Sequence, residues 1–156
     1  MTLGGTALNN ACPPGVLPKL VEEAVDEALS IGFEFCVHPS TGRLLSVLAS
    51  GVAVGGLIGE TGTGTGAGLA WMVSANPRAR FVSVEKDGAR AAAARRVFAQ
   101  HPNDDYEPMI EWPPLFEGKP DAARIDWLSD PRFVATEITV ADHMAVLVCR
   151  RRPPVR

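Results

Sequence analysis

The hydrophobic and polar positions at the start of the chain repeat with helical spacing. Across residues 17–29 the apolar residues recur every three or four positions, and acidic residues occupy the other face. This pattern predicts an amphipathic helix, which Gly32 ends. A second short helix is expected over residues 43–49, after the Ser-Thr-Gly sequence at residues 40–42.

The middle of the chain alternates strand-like and helix-like segments. Residues 52–58 form a short apolar run that leads into glycines, as expected of a buried parallel strand. A helix over residues 66–74, a second strand over residues 80–85 and an alanine-rich helix over residues 88–100 follow. This order predicts one half of a doubly wound α/β sheet.

The pattern changes after Asn103. Residues 104–120 contain five prolines or glycines and are predicted to be a loop, and residues 121–128 are predicted to be a helix. Two strands follow at residues 133–140 and 144–150, separated by so few residues that they must form an antiparallel hairpin.

Size and charge limit the number of domains and the classes of partner. A chain of 156 residues suits one core, so we predict a loose leader over residues 1–16 and a single domain over residues 17–156. The net charge of -3 offers no broad positive field, so no nucleic acid partner is expected. The longest apolar stretch, near residues 44–58, is interrupted and too short to span a bilayer.

The cysteines indicate a reducing environment. Cys12, Cys36 and Cys149 are far apart, and no CxxC pair or Cys/His cluster suggests a metal site or a disulfide framework. The N-terminus also lacks the pattern of a secretory signal. We therefore expect a cytoplasmic protein. The amphipathic helix over residues 17–29 can cover the protein's own sheet or a second subunit, which leaves a homodimer open.

The strongest candidate for chemistry is a glycine-rich turn between the first predicted parallel strand and the following helix. Its sequence is Glu60-Thr61-Gly62-Thr63-Gly64-Thr65-Gly66-Ala67-Gly68. Glycine is needed where a turn takes positive φ or where backbone approaches a ligand closely. The positive end of the helix dipole suits a carboxylate or phosphate. Glu85, at the tip of the next strand, can accept hydrogen bonds from two ribose hydroxyls, which favours an adenosine-type ligand.

The acidic residue that opens the turn distinguishes between nucleotides. The Gly62-x-Gly64-x-x-Ala67 spacing also satisfies a dinucleotide fingerprint, whereas no Gly-Lys-Ser/Thr follows to make a phosphate-binding loop. The Glu60 carboxylate would repel a pyrophosphate but can face the ammonium of a methionine moiety. The sequence therefore favours S-adenosylmethionine over a dinucleotide.

Residues 59–87 resemble the first two motifs of class I S-adenosylmethionine-dependent methyltransferases, particularly bacterial O-methyltransferases related to catechol O-methyltransferase. Residues 39–45 resemble the segment that lines the cofactor pocket in that group, and the closing hairpin resembles its antiparallel sixth and seventh strands. The resemblance implies a three-layer, Rossmann-like α/β fold and methyl transfer to the oxygen of a small-molecule acceptor. It implies cofactor contacts from Thr41, Glu60, Thr61, Gly62, Thr63, Gly64, Gly66, Glu85 and Lys86.

The chain departs from that family between Asn103 and Asp104, where two central parallel strands are expected. Two explanations stay open: the protein is truly shortened, or a segment is absent from the sequence at this point. Loss of two central strands would expose sheet edges and apolar surface, so we favour the second explanation. An intact mass near 16.6 kDa would refute it.

Catalytic groups are not assignable from this sequence. In metal-dependent relatives the ion is held by Asp and Asn side chains of the absent region, so no metal site is predicted. The other candidates are interpreted structurally: His38 and His143 as surface or loop residues, Asp87 as a helix cap, Trp71 as core, and Trp112 and Phe116 as packing residues. Two other functions remain as alternatives, an NAD(P)-dependent oxidoreductase and a catalytically silent cofactor-binding module.

Overall fold

A computed structural model describes residues 2–3, 6–7, 17–101, 128–140 and 143–150, with side chains described for residues 17–101 and 128–136. The chain divides into two compact units, Met1–Trp112 and Pro113–Arg156. The first unit contains a two-residue ladder of β1 (Thr2–Leu3) and β2 (Thr6–Ala7), followed by the elements that form the core. These are α1 (Lys19–Ser30), α2 (Pro39–Ser50), β3 (Leu57–Thr61), α3 (Ala67–Ala75), β4 (Arg80–Val84) and α4 (Gly88–Ala99).

Helix α1 confirms the prediction made from its apolar spacing. Pro18 precedes its first turn, and Gly32, at φ 68°, follows its end. Its buried residues are Leu20, Val21, Ala24, Val25 and Ala28. Since alanine allows close approach of helices, this face packs against α3 and α4 of the same chain. The apolar face of α1 is therefore used within the first unit.

Helix α2 begins earlier than predicted. It starts at Pro39, and the His38 Nδ1 caps it by accepting a hydrogen bond from the Ser40 amide at 3.1 Å. The predicted start at residue 43 was wrong because Gly42 was interpreted as part of a turn. Gly42 instead lies inside the helix, where a Cβ would meet the Trp71 Nε1 at 2.2 Å. Glycine is required there by close packing of α2 on α3.

Strand β3 differs from the prediction in position and in burial. Residues 52–56 form turns instead of the start of the strand, and the Asn76 side chain holds them by donating to the carbonyls of Ala49 and Val52 at 2.9 Å. Along β3 exposed and half-buried residues alternate, so it is not a fully buried strand. Among the described strands β3 pairs only with β4, and Leu57 is 60% exposed.

The β3–α3–β4–α4 order confirms the predicted parallel unit. Strands β3 and β4 pair in parallel, with Glu60 opposite Ser83 in the register. Helix α3 ends at Asn76, and α4 is capped by Asp87, whose Oδ1 accepts from the Arg90 amide at 2.9 Å. The predicted capping role of Asp87 is thus confirmed. Trp71 is buried in the core cluster, as predicted.

The second unit contains the antiparallel hairpin of β5 (Phe133–Val140) and β6 (His143–Arg150). This confirms the hairpin and places His143 at the first position of β6, paired with Val140. The predicted loop over residues 104–120, which includes Trp112 and Phe116, lies outside the described residues. So does most of the helix predicted over residues 121–128.

Candidate functional site

The glycine-rich turn lies between the end of β3 and the start of α3. Gly62, Gly64 and Gly66 have φ values of 82°, 58° and 92°, a region that other residues rarely adopt. Gly66 is the N-cap of α3. The Gly62 and Thr63 amides donate to the Val84 carbonyl at 2.8 and 3.2 Å, which holds the turn against the end of β4. The turn is therefore fixed relative to the tip of the neighbouring strand.

Aromatic rings of the chain itself pack against two of these glycines. A Cβ at Gly64 would lie 2.7 Å from the Phe33 Cε1, and one at Gly66 would lie 2.6 Å from the Phe98 Cε2. The absence of side chains here thus admits Phe33 and Phe98. That Gly64 and Gly66 also admit a ligand stays a prediction.

Gly62 differs from the other glycines of the turn. A Cβ added to it would have no described neighbour within 4 Å, and the residue is exposed. At Gly68, in the first turn of α3, a Cβ would meet the Glu60 Oε1 at 2.5 Å. Among the described residues, none occupies the space beside Gly62, whereas the missing side chain of Gly68 admits the Glu60 carboxyl.

Glu85 connects the two loops at the ends of the parallel strands. Its side chain is buried; one oxygen accepts from the Gly64 amide at 2.7 Å and the other from the Asp87 amide at 3.0 Å. Each carboxylate oxygen can accept a second hydrogen bond. The structure places Glu85 beside the glycine turn, and its contact with a ribose stays a prediction.

Glu60 is the penultimate residue of β3, and its carboxyl lies beside Gly68 in the first turn of α3. Its Oε2 accepts from the Ser83 Oγ at 2.7 Å, and the Ser83 Oγ lies 2.5 Å from the Thr63 Oγ1. Burial raises the pKa of Glu60 to about 7; the Ser83 hydrogen bond opposes this shift, and the negative charge of Glu85 adds to it. A cationic group that reached Glu60 would favour its ionised form.

The other predicted contacts occupy different environments. Thr63 is buried within the turn, whereas Thr61 and Lys86 are exposed at the ends of β3 and just beyond β4. The Thr41 hydroxyl is buried and has no hydrogen-bond partner among the described residues. Its contact with a ligand stays a prediction.

Several residues near the turn were missed by the sequence reasoning. The Thr65 hydroxyl donates to the Ala24 carbonyl of α1 at 2.8 Å. The Arg90 guanidinium lies 4.5 Å from the centre of the Phe33 ring, within the range of a cation–π contact. Ser83 was also missed, although a polar residue inside an apolar strand is a signal that the sequence contains. The contacts of Phe33 and Arg90 depend on tertiary packing and leave no such signal.

No group of three or more His, Cys, Asp or Glu side chains in the described part of the chain could hold a metal ion. None of the helices described is long and apolar enough to cross a membrane.

No protein-family model matches the chain, and a search of curated proteins finds no match. Solved structures do match. The chain is similar to the O-methyltransferase TomG from Streptomyces achromogenes, involved in tomaymycin synthesis and solved with SAM. The identity is 22%, the TM-score is 0.52, and the match covers 60% of this chain and 43% of TomG.

Two further solved structures show the same fold. The Bacillus cereus O-methyltransferase, solved with SAH, is 23% identical with a TM-score of 0.56, and the match covers 69% of this chain and 50% of that one. A methyltransferase from Geobacter sulfurreducens is 18% identical with a TM-score of 0.58, and the match covers 87% and 91%. The chain therefore has a Rossmann-like methyltransferase fold. It spans about half the length of TomG and the Bacillus cereus enzyme.

Proposed function

We propose that this protein binds S-adenosylmethionine at the glycine turn and transfers its methyl group to the oxygen of a small-molecule acceptor. The observation that carries the proposal is the buried Glu85 carboxylate, which meets the glycine turn at the tip of β4 through the Gly64 amide at 2.7 Å. Carboxylate oxygens at this point of a Rossmann-like sheet can accept hydrogen bonds from the hydroxyls of a ribose. The methyltransferase fold of the chain supports the methyl donor as the ligand.

The residues around the turn have the chemistry that this cofactor needs. Glu85 would accept from the ribose hydroxyls, and Glu60 would attract the methionine ammonium. The open backbone at Gly62 would admit the ligand, and Thr41 is kept as a proposed contact. The N-terminal end of α3 carries a positive partial charge, which suits the methionine carboxylate. Thr61, Thr63, Gly64, Gly66 and Lys86 complete the proposed set of contacts.

The sulfonium of the cofactor supplies an electrophilic methyl group. The protein's contribution is to bind and orient the donor so that an acceptor oxygen approaches the methyl carbon in line with the sulfur. The acceptor oxygen must lose its proton, and no base is assigned to that step. The proposed acceptor is a small molecule, because the net charge of -3 does not favour a polyanion.

We propose that the protein works in the cytoplasm, which is supported by three cysteines without the spacing of a disulfide framework.

Calorimetry with S-adenosylhomocysteine tests the proposal. We expect the wild type to bind and Glu85→Ala to weaken binding by about 1–3 kcal/mol, the effect of leaving polar partners unpaired. Glu34→Ala is the matched control because Glu34 is exposed in the loop after α1. No binding by a folded wild type, or equal binding by wild type and Glu85→Ala, would refute the assignment.

Two further measurements separate the candidate functions. Transfer of a labelled methyl group to hydroxylated small molecules supports the enzyme, whereas binding without transfer across a broad panel supports the silent module. Quenching of NADH fluorescence without binding of S-adenosylhomocysteine would support the oxidoreductase instead. Glu60 argues against that outcome, since its carboxylate would repel a pyrophosphate.

A further inference from the structure

Ser83 is a polar residue near the end of β4, a strand that contributes Phe81 to the core. Its side chain is fully buried, as is that of Phe81 two residues earlier. Burying an unpaired hydroxyl is unfavourable, so a serine at this position needs hydrogen-bond partners. Ser83 has two, the Glu60 carboxyl on the adjacent strand and the Thr63 hydroxyl in the glycine turn.

Which group donates in each of these hydrogen bonds follows from the number of protons available. A serine hydroxyl has one proton, and the ionised Glu60 carboxylate can only accept. Ser83 then donates to the Glu60 Oε2 at 2.7 Å, and Thr63 must donate to the Ser83 Oγ across 2.5 Å. When Glu60 is protonated, its hydroxyl can donate to Ser83, and Ser83 can donate to Thr63. The charge of Glu60 therefore determines which way the hydrogen bonds from Glu60 through Ser83 to Thr63 can point.

Thr63 connects this chain of hydrogen bonds to the ligand site. It is buried between Gly62, which faces open space, and Gly64, whose amide donates to Glu85 at 2.7 Å. Its own amide donates to the Val84 carbonyl at 3.2 Å. A change in the direction of the Thr63 hydroxyl thus occurs inside the turn on which the proposed cofactor would lie.

We infer that Ser83 is a positioning residue that couples the charge of Glu60 to the glycine turn through Thr63, so that cofactor binding depends on pH. The inference rests on the proposed function, because Glu60 acts on a bound cofactor through its charge. Ser83 does not touch the cofactor. By donating to Glu60 it favours the ionised form of the carboxyl, and by accepting from Thr63 it orients that hydroxyl.

The surroundings of Glu60 support this coupling. Burial raises the pKa of Glu60 to about 7, and the hydrogen bond from Ser83 lowers it. Among the described residues, Glu85 is the charged group that acts on Glu60, and it raises the pKa further. On α3 the Glu60 carboxyl lies beside the uncharged backbone of Gly68. Glu60 therefore changes charge near neutral pH, and Ser83 shifts the pH at which it does so.

The test measures S-adenosylhomocysteine affinity between pH 6 and pH 8.5. Wild-type affinity should rise through about pH 7, because the ligand ammonium pairs with ionised Glu60. Ser83→Ala removes a hydrogen bond to the ionised form, so the midpoint should move up by about one pH unit. Affinity at pH 7 should fall by up to about tenfold and recover at high pH. Ser83→Thr keeps a hydroxyl and should restore the wild-type profile, and exposed Ser74→Ala is the matched control.

A loss of affinity in Ser83→Ala that is equal at every pH would assign Ser83 a packing role and overturn the inference. An unchanged profile would overturn it as well. A ligand-free measurement separates this inference from the proposed function: the Glu60 carboxyl is titrated by carbon-13 NMR in wild type and Ser83→Ala. A higher midpoint in the variant supports the coupling, and an unchanged midpoint refutes it. A wild type that fails to bind while the midpoint still shifts overturns the proposed function alone.

Discussion

Replacing Glu60 with glutamine should change how the stability of the protein depends on pH. The Glu60 carboxyl lies against Gly68 and accepts from the Ser83 hydroxyl at 2.7 Å. Glutamine has nearly the same size and keeps one acceptor for Ser83, but it cannot ionise. The variant therefore removes the titration while the packing stays close to that of the wild type.

The magnitude follows from the pKa of Glu60. Burial raises it from 4.5 to about 7, so the folded state holds its proton over a pH range in which the unfolded chain has lost it. The stabilisation of the folded state by the proton on Glu60 is fully present below about pH 4.5. It is lost as the pH rises through about 7. Integration from pH 5 to pH 8 gives a loss of about 2.5 kcal/mol from Glu60 alone.

Urea unfolding at several pH values measures this effect. The difference in unfolding free energy between wild type and Glu60→Gln cancels the contributions of groups that are unchanged by the substitution. Relative to the variant, the wild type should lose about 2.5 kcal/mol between pH 5 and pH 8. A difference that stays constant with pH would show that Glu60 does not titrate in this range, which would refute the argument from burial.

Two further predictions concern the glycine turn and the helix that follows β4. Gly64→Ala should destabilise the protein more than Gly62→Ala in thermal unfolding. Both residues have positive φ, but only at Gly64 does a Cβ approach Phe33, at 2.7 Å; equal losses would contradict this reasoning. Asp87→Ala should lower the thermal stability of the protein by removing the cap of α4, whereas Asp26→Ala, at an exposed position, should change it little; similar effects would argue against the cap.

Local sequence determined most of the secondary structure in the first unit. Apolar spacing placed α1, and the alternation of apolar and helical segments placed α3, β4 and α4 to within about one residue, within the usual uncertainty of helix and strand ends. The hairpin of β5 and β6 followed from two apolar runs with a very short connection. These features depend on residues close together in the chain, which is why the sequence alone was sufficient.

The glycine inside α2 and the position of β3 depend on contacts between distant residues. Trp71, on another helix, occupies the space that a side chain at position 42 would need. The residues before β3 turn because Asn76 binds the Ala49 and Val52 carbonyls. Neither Trp71 nor Asn76 is near these segments in sequence, so local propensity could not reveal the result.

In the candidate site, too, some features follow from local sequence and others only from tertiary packing. The sequence alone predicted the glycine turn and the acidic residue at Glu85, because both follow from the order of strand, turn, helix and strand. Only the tertiary structure showed that Phe33 covers Gly64 and that Ser83 connects Glu60 to Thr63. These contacts form where β4, the turn and the loop after α1 meet. Their geometry depends on how those elements pack, which a pattern of neighbouring residues does not determine.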